Sequence, residues 1–307
     1  MTDTYSLTFI AHDSTLTSEQ RQQIQDFVTS LKNLQILGKE ELSKDRVIDF
    51  QVTTSTPDIV KNTIRSQIEQ HDLAYDVYLQ KTFERKKKKL FIFDMDSTLI
   101  YQEVIELIAA YAQIEDKVAE ITERAMNGEI DFTESLRERV LLLKGIDATT
   151  LWDELKLKLR ITNGARELCK ALKSLGIVMG VCSGGFLPLA SFVKEQLGLD
   201  YAYANNLGVD KTNKLDGTTF GPIVNGEMKA QLLLEIAQKH GIDPQTAVAV
   251  GDGANDLKMM SVAGFGIAWN AKPKVQLEAP CCLNTNSLKD ILYIMGFNDE
   301  AIKRLIE

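Results

Sequence analysis

The sequence predicts an α/β protein, a doubly wound parallel sheet with a helical cap insertion, preceded by a small α+β domain. Three observations carry this prediction. Residues 90–93, Leu-Phe-Ile-Phe, form a short apolar run that ends abruptly in Asp94 and Asp96. Two later runs, 177–182 and 247–250, end in the polar loops Ser183-Gly184-Gly185 and Gly251-Asp252-Gly253-Ala254-Asn255-Asp256. Short apolar runs without alternation suit strands covered on both faces, the usual condition in a parallel sheet flanked by helices. Finally, residues 100–161 carry helical spacing with no convincing strand, as expected of a cap standing over the strand ends.

Taken in order, residues 5–11 read as a strand, 18–31 as a helix, 46–53 as a strand, 57–70 as a helix and 74–79 as a strand, with a further strand near 34–37. That order and length fit an antiparallel sheet with two helices on one face, of ferredoxin-like type. This places an N-terminal domain at 1–85 and a second domain at 86–307, with the cap at about 101–163. Within the second, 165–175, 186–197, 228–239 and 254–263 read as helices. The segments at 246–250, 265–269 and 281–284 read as strands, and 201–226 as a strand-and-turn region. Alternation of this kind means a doubly wound sheet, which binds ligands at the carboxyl ends of its strands.

Composition bounds the function. At 307 residues, 44% hydrophobic and 25% charged, the chain is an ordinary globular protein large enough for two domains. A net charge of −8 argues against nucleic acid as a partner. The basic run Arg85-Lys86-Lys87-Lys88-Lys89 reads as a solvated linker and charged strand entry. No stretch reads as a membrane span, and the N-terminus lacks a secretory profile, so the expected location is the cytoplasm. Cys169, Cys182, Cys281 and Cys282 have neither C-x-x-C spacing nor a nearby His and read as reduced core residues. With His12, His71 and His240 scattered, a Ser-His-Asp or Cys-His hydrolase is disfavoured, which leaves carboxylate chemistry.

A lone Asp-x-Asp is common in calcium loops, caps and turns, and Ser-Gly-Gly alone is usually a plain turn. In company and in this order they are far more specific. Residues 94–98, the 183–185 loop, Lys229 and 251–256 together resemble the motifs of the haloacid-dehalogenase-type phosphohydrolases, and within them the phosphoserine phosphatases. The likeness covers about 90–295. It extends into the cap through Glu103, Ala125-Met126, Asp131-Phe132 and the run 135–140, Ser-Leu-Arg-Glu-Arg-Val. Met95 stands where Phe is common in the family, a change expected to be tolerated because that side chain faces away from the chemistry. The N-terminal 85 residues lie outside the likeness, although bacterial enzymes of this type often carry a regulatory or ACT-like domain there.

The resemblance implies a Mg²⁺-dependent phosphomonoesterase acting on O-phosphoserine, a small-molecule substrate, in serine biosynthesis. Asp94 is then the nucleophile, because a carboxylate can attack phosphorus once a divalent cation neutralises the phosphate. Asp96 is the general acid and base. A free Asp titrates near ~4, so its surroundings must favour the acid form. Asp252 would hold Mg²⁺ with Asp94 and the backbone carbonyl of Asp96, and Asp256 is either a direct ligand or an orienter. Ser183 and the Gly184 amide would bind phosphate oxygens at a strand-to-helix turn. Lys229 would supply positive charge and Asn255 a hydrogen bond. In the cap, Glu103 meets an ammonium and Arg139 a carboxylate, with Met126 and Phe132 walling the pocket. Rival readings are the same chemistry on phosphohomoserine or a sugar phosphate, a phospho-aspartate switch, and an amino-acid sensor. The oligomer, monomer or homodimer, stays open.

Overall fold

The computed structural model describes every residue except 1–2, 13–14, 71–72 and 127–128, and the side chains of Gln70 and Met126 also lie outside that description. The N-terminal unit runs β1 (Thr4–Ala11), α1 (Ser18–Ser30), β2 (Leu34–Ser43), β3 (Val47–Thr54), α2 (Pro57–Gln70) and β4 (Tyr75–Lys81). Its strands form one antiparallel sheet in the order β2-β3-β1-β4. The two-residue period of a strand sorts β1 by face. Leu7 and Phe9 pack with Ile24 and Val28 of α1 and Val60 and Ile64 of α2, whereas Thr8 and Ile10 point the other way and are just as buried. That second face is therefore seated on the C-terminal part of the chain. α1 starts where Thr17 and Gln20 exchange side-chain and backbone hydrogen bonds of 3.1 and 2.8 Å, a capping box. The strand expected near 34–37 continues to Ser43. Two register shifts carry its exposed, charged edge along β3, and that polarity hid it from an apolar-pattern reading.

The second unit places β5 (Leu90–Phe93) near the middle of its sheet. The cap follows as α3 (Val104–Ala112), α4 (Glu115–Met126), α5 (Phe132–Leu141) and α6 (Ala148–Lys158). The chain returns through α7 (Ala165–Ser174), β6 (Val178–Phe186), α8 (Leu187–Leu197), β7 (Tyr201–Val209), β8 (Leu215–Phe220), α9 (Gly226–Lys239) and β9 (Ala247–Gly251). It ends in α10 (Leu257–Val262), β10 (Phe265–Trp269), α11 (Pro273–Glu278), β11 (Cys281–Leu283), α12 (Ile291–Ile294) and α13 (Asp299–Ile306). The seven strands lie in the order β11-β10-β9-β5-β6-β7-β8, parallel throughout except for β8. Helices cover both faces, which is why β5 and β9 are apolar at every position. α11 and α12, of six and four residues, are too short to display a helical repeat, whereas α13 carries one in Ile302, Leu305 and Ile306, which pack on the core.

The cap joins the core at two adjacent crossings. Ile100 and Ile161 form an antiparallel bridge, the Thr162 N–H donates to the Leu99 carbonyl at 2.9 Å, and the Asn163 N–H donates to the Tyr101 hydroxyl at 2.9 Å. The basic run departs from expectation. Arg85 is only 5% exposed; its guanidinium reaches Asp49 Oδ2 at 2.8 Å and the carbonyls of Tyr293 and Ile294 at 3.0 and 3.2 Å. Lys88 is buried as well, its ammonium 5.0 Å from the centre of the Phe265 ring. The expected solvated linker is thus, at these two residues, a buried strut between the two sheets, held by partners far off in sequence. Arg46 with Asp290, and Asp76 with Asn284, tie the same junction. All four cysteines are buried and unpaired, as expected. Among the described residues no helix is long and apolar enough to cross a membrane.

Candidate active site

Because β9, β5 and β6 are neighbours, the loops that follow them converge on one point of the sheet's carboxyl edge. Asp94 continues the ladder by one residue, its N–H donating to the Val250 carbonyl at 2.8 Å, while its Oδ1 accepts the Met95 N–H at 2.7 Å. The chain then makes a wide turn closed by the Ile100 N–H on the Met95 carbonyl at 3.1 Å. Ser97 adopts the left-handed region at φ 53° to make that turn, which brings Asp96 back beside the cap. There Asp96 Oδ2 accepts the Val104 N–H at 3.1 Å in the first turn of α3, and its other oxygen is buried with no hydrogen-bond partner. Met95 is fully buried in the core, facing away from the site as expected.

Asp252 and Asp256 arrive from the turn after β9. A Cβ on Gly251 would lie 2.2 Å from Asp256 Oδ2, so only glycine lets the carboxylate fold back against the strand end. Asp256 is fully buried and uses both oxygens, Oδ2 accepting the Gly253 N–H at 3.1 Å and Oδ1 pairing with Lys229 at 2.7 Å. Lys229, in the first turn of α9, is likewise fully buried and lies 2.7 Å from Asp94 Oδ1 too. Asp252 faces the same point, with the Thr98 hydroxyl 3.5 Å away.

The wall supplied by β6 differs from the turn expected there. Ser183, Gly184 and Gly185 continue the strand past a register shift, and α8 begins only at Leu187. Glycine matters here for clearance: a Cβ on Gly184 would sit 3.0 Å from Phe132 of the cap, and one on Gly185 3.1 Å from Ser183 Oγ. Asn205, which sequence reasoning missed, holds this wall, donating to the Gly184 carbonyl at 2.8 Å and accepting from the Val224 N–H at 2.8 Å.

A cavity of about 140 Å³ joins these groups to the cap, lined on the core side by Asp94, Asp96, Ser183, Gly184, Asp252 and Asn255. Glu103, Phe132 and Arg139 close it from above. Glu103 accepts a hydrogen bond from Ser97 Oγ at 2.6 Å, and Arg139 spends its Nε–H on the Ser135 carbonyl at 3.1 Å. Of the expected pocket residues, Met126 has its side chain outside the described residues. Lys229 and Asp256 lie behind the cavity wall, acting on Asp94 from below. Lys272 was not foreseen; it lines the cavity just before α11. The only sequence signal for it was its place, Asn270-Ala271-Lys272-Pro273, at the carboxyl end of β10.

Burial sets the electrostatics. Desolvation first, then the nearby Glu103, raises the Asp96 carboxyl to about 8, which meets the requirement for an acid at neutral pH. Desolvation and then Asp256 raise Asp252 to about 6. Asp94 is pushed up by burial and by Asp256, against the pull of Lys229. Burial alone would lower Lys229, yet Asp256 and Asp94 outweigh it and hold the ammonium charged. Lys229 thus serves Asp94 and Asp256 together, while Asp252 feels Lys272 as well. Oxygens of Asp94, Asp252 and Asp256 all lie within 4.8 Å of one another, a hard-oxygen set whose excess negative charge fits a divalent cation.

Residues 88–264 match the haloacid dehalogenase-like hydrolase family. The chain is 50% identical over 304 residues to a phosphoserine phosphatase of Saccharomyces cerevisiae, covering 97% of this chain and 98% of the other. An HAD-family hydrolase structure from Salmonella enterica aligns over 95% of this chain and 98% of its own at 26% identity and a TM-score of 0.82. A phospho-aspartyl intermediate analogue of a phosphoserine phosphatase aligns over 67% of this chain and 98% of its own, at 43% identity and a TM-score of 0.62. The chain belongs to the haloacid dehalogenase-like hydrolase family.

Proposed function

We propose that the protein hydrolyses O-phospho-L-serine to L-serine and phosphate, with Mg²⁺ as cofactor and Asp94 as the group transiently phosphorylated. The observation that carries this reading is one small cavity with a carboxylate pair, Asp94 and Asp96, on its floor and an opposite-charge pair, Glu103 and Arg139, in its roof. An amino acid presents an ammonium and a carboxylate, which such a roof complements; a sugar presents neither. The 50% identity to a yeast phosphoserine phosphatase over nearly the whole chain supports it. So does the likeness to a structure that carries a phospho-aspartyl analogue.

In this reading Asp94, Asp252 and the backbone carbonyl of Asp96 hold the cation. When bound, it neutralises phosphate charge and aligns the attack. Asp256 lies behind the cavity wall with its oxygens on Lys229 and the Gly253 N–H, and orients the set from there. Asp94 Oδ1 is likewise held by Lys229 and Met95, which leaves Oδ2 to face phosphorus. A bond forms from Asp94 to phosphorus as the bond to the serine oxygen breaks, and Asp96 gives its proton to that oxygen. Water then attacks the phospho-aspartate, Asp96 takes its proton, and phosphate leaves with Asp94 restored. Ser183 and the Gly184 amide bind the phosphate oxygens, with Asn255 and Lys272 on the opposite rim. Burial under the cap keeps bulk water out during the first step. The proposal includes a role in making serine, in the cytoplasm.

The test is phosphate release from O-phosphoserine, O-phosphothreonine, phosphohomoserine and sugar phosphates, with Mg²⁺ or EDTA, for wild type and Asp94→Asn. Preference for phosphoserine, abolished by EDTA and by the substitution, is expected. Turnover of sugar phosphates in preference would overturn the assignment of Glu103 and Arg139.

A further inference from the structure

A second cavity, larger than the catalytic one, lies at the junction of the two units. A groove of about 570 Å³, against about 140 Å³ for the catalytic cavity, runs between α2 of the N-terminal unit and α11 and β11 of the second. Apolar residues stand on both sides, Ile64 and Ile68 from α2 and Leu277 and Phe265 from the second unit, among charged and amide side chains, and the edge strand β4 forms part of the floor. Lys61 and Arg65, one helical turn apart on α2, line it, and neither forms a salt bridge among the described residues. Lys81, paired with Asp3, and the carboxylates of Asp58 and Glu84 line it as well. Apolar walls with a few polar groups are the usual make-up of a small-molecule site.

The groove and the catalytic cavity share α11. Gln276 lines the groove; its N–H donates to the Lys272 carbonyl at 3.1 Å and its side chain to the Ala271 carbonyl at 2.7 Å. Lys272 lines the catalytic cavity, and its own N–H donates to the Asp252 carbonyl at 3.3 Å. On the other side Gln276 accepts from Asn284, which Asp76 of β4 holds at 2.8 Å. A molecule lodged against Gln276 and Leu277 therefore bears on the helix that positions Lys272 and the Asp252 turn.

We propose that this interdomain groove is a second ligand site, for a small organic anion with an apolar body, coupled to the catalytic cavity through α11. Lys61 and Arg65 take the anionic group and the apolar walls take the body. The probe is 8-anilinonaphthalene-1-sulfonate, titrated by fluorescence against the full chain in magnesium chloride. Saturable binding is expected, weakened about five-fold or more by Lys61→Gln with Arg65→Gln and, from the facing wall, by Leu277→Glu. All three residues are exposed, and retention of the wild-type melting temperature confirms the fold of each variant. Coupling between sites is reciprocal, so inorganic phosphate should shift the dye's affinity by a factor that levels off at saturation. Dye affinity unchanged in both variants would overturn the site, as would displacement by phosphate that rises without limit, which would put the dye in the catalytic cavity. Binding at the groove that saturating phosphate does not alter would overturn the coupling.

Discussion

Ser97 donates a hydrogen bond of 2.6 Å to Glu103, and it does so from a left-handed backbone conformation at φ 53°. The loop that carries the proposed nucleophile is thereby tied to the residue at the head of the cap. Ser97→Gly separates the two features: glycine suits the backbone better than serine, while the carboxylate of Glu103 loses its anchor. A charge-assisted bond lost at the substrate-facing carboxylate, at about 1 kcal/mol, should raise KM for phosphoserine about five-fold. The melting temperature should hold and kcat should change little. Steady-state kinetics with a thermal melt checks this, and a fall in kcat at constant KM would contradict it.

The pH dependence follows from Asp96. Burial and Glu103 raise its carboxyl to about 8, so the acid form dominates below that pH and the anion above it. If Asp96 must enter the reaction protonated, kcat/KM should be level through neutrality and fall tenfold per unit on the alkaline side of about 8. A profile of kcat/KM against pH reads this limb directly. Activity that keeps rising past the limb would assign the acid elsewhere.

Cation binding should fail at the opposite end. Asp252 is raised to about 6 by burial and by Asp256, and only its carboxylate form is a ligand. Below that pH a proton competes with the ion, so the apparent Kd for Mg²⁺ should rise about tenfold for each unit of acidification. Calorimetric titration of Mg²⁺ between neutrality and mild acid measures the slope; a flat Kd would remove Asp252 from the ligand set.

Lys229 neutralises two buried carboxylates at 2.7 Å each, and it does so with no exposed surface of its own. Lys229→Met leaves Asp94 and Asp256 facing each other with no counter-charge. Breaking a buried pair in this way costs about 3–5 kcal/mol. The variant should therefore melt well below wild type, and Mg²⁺ should restore part of the loss by taking over the charge. Thermal denaturation with and without the cation distinguishes this from simple loss of packing, which Mg²⁺ would not repair.

The site was legible because its chemistry is written in short local motifs. Asp94, Asp96, Asp252 and Asp256 follow strands, and Ser183 follows the apolar part of one; in each case the end of an apolar run marks the place, and a parallel sheet delivers such ends to one edge. What stayed hidden has no local signature. Asn205 works through two backbone hydrogen bonds, Lys272 sits in an unremarkable turn, and Asp256 and Lys229 prove to lie behind the wall because they pair with each other. The same limit explains Arg85. A run of five basic residues reads as solvent-facing from composition alone, and only the fold brings Asp49 and the carbonyls of Tyr293 and Ile294 around its first member.

That strut gives the last prediction. Arg85 and Asp49 are both about 5% exposed and join the face of the N-terminal sheet to the C-terminal helices. Arg85→Ala removes the guanidinium, leaves the buried Asp49 carboxylate with the Thr8 hydroxyl but no counter-charge, and frees two carbonyls; the expected loss is about 3–5 kcal/mol. Asp49→Ala leaves an unpaired buried cation and should be of similar size. The double variant should be far better than the sum, because neither charge is then left alone. A double-mutant cycle on chemical denaturation reads the coupling. Since the lost contacts lie between the N-terminal sheet and α12 and not within either unit, the single variants should also unfold in two transitions, with the N-terminal unit reporting separately from the catalytic one. Single, cooperative transitions with additive losses would mean that the strut is peripheral to the junction, and that Arg46 with Asp290 and Asp76 with Asn284 hold it instead.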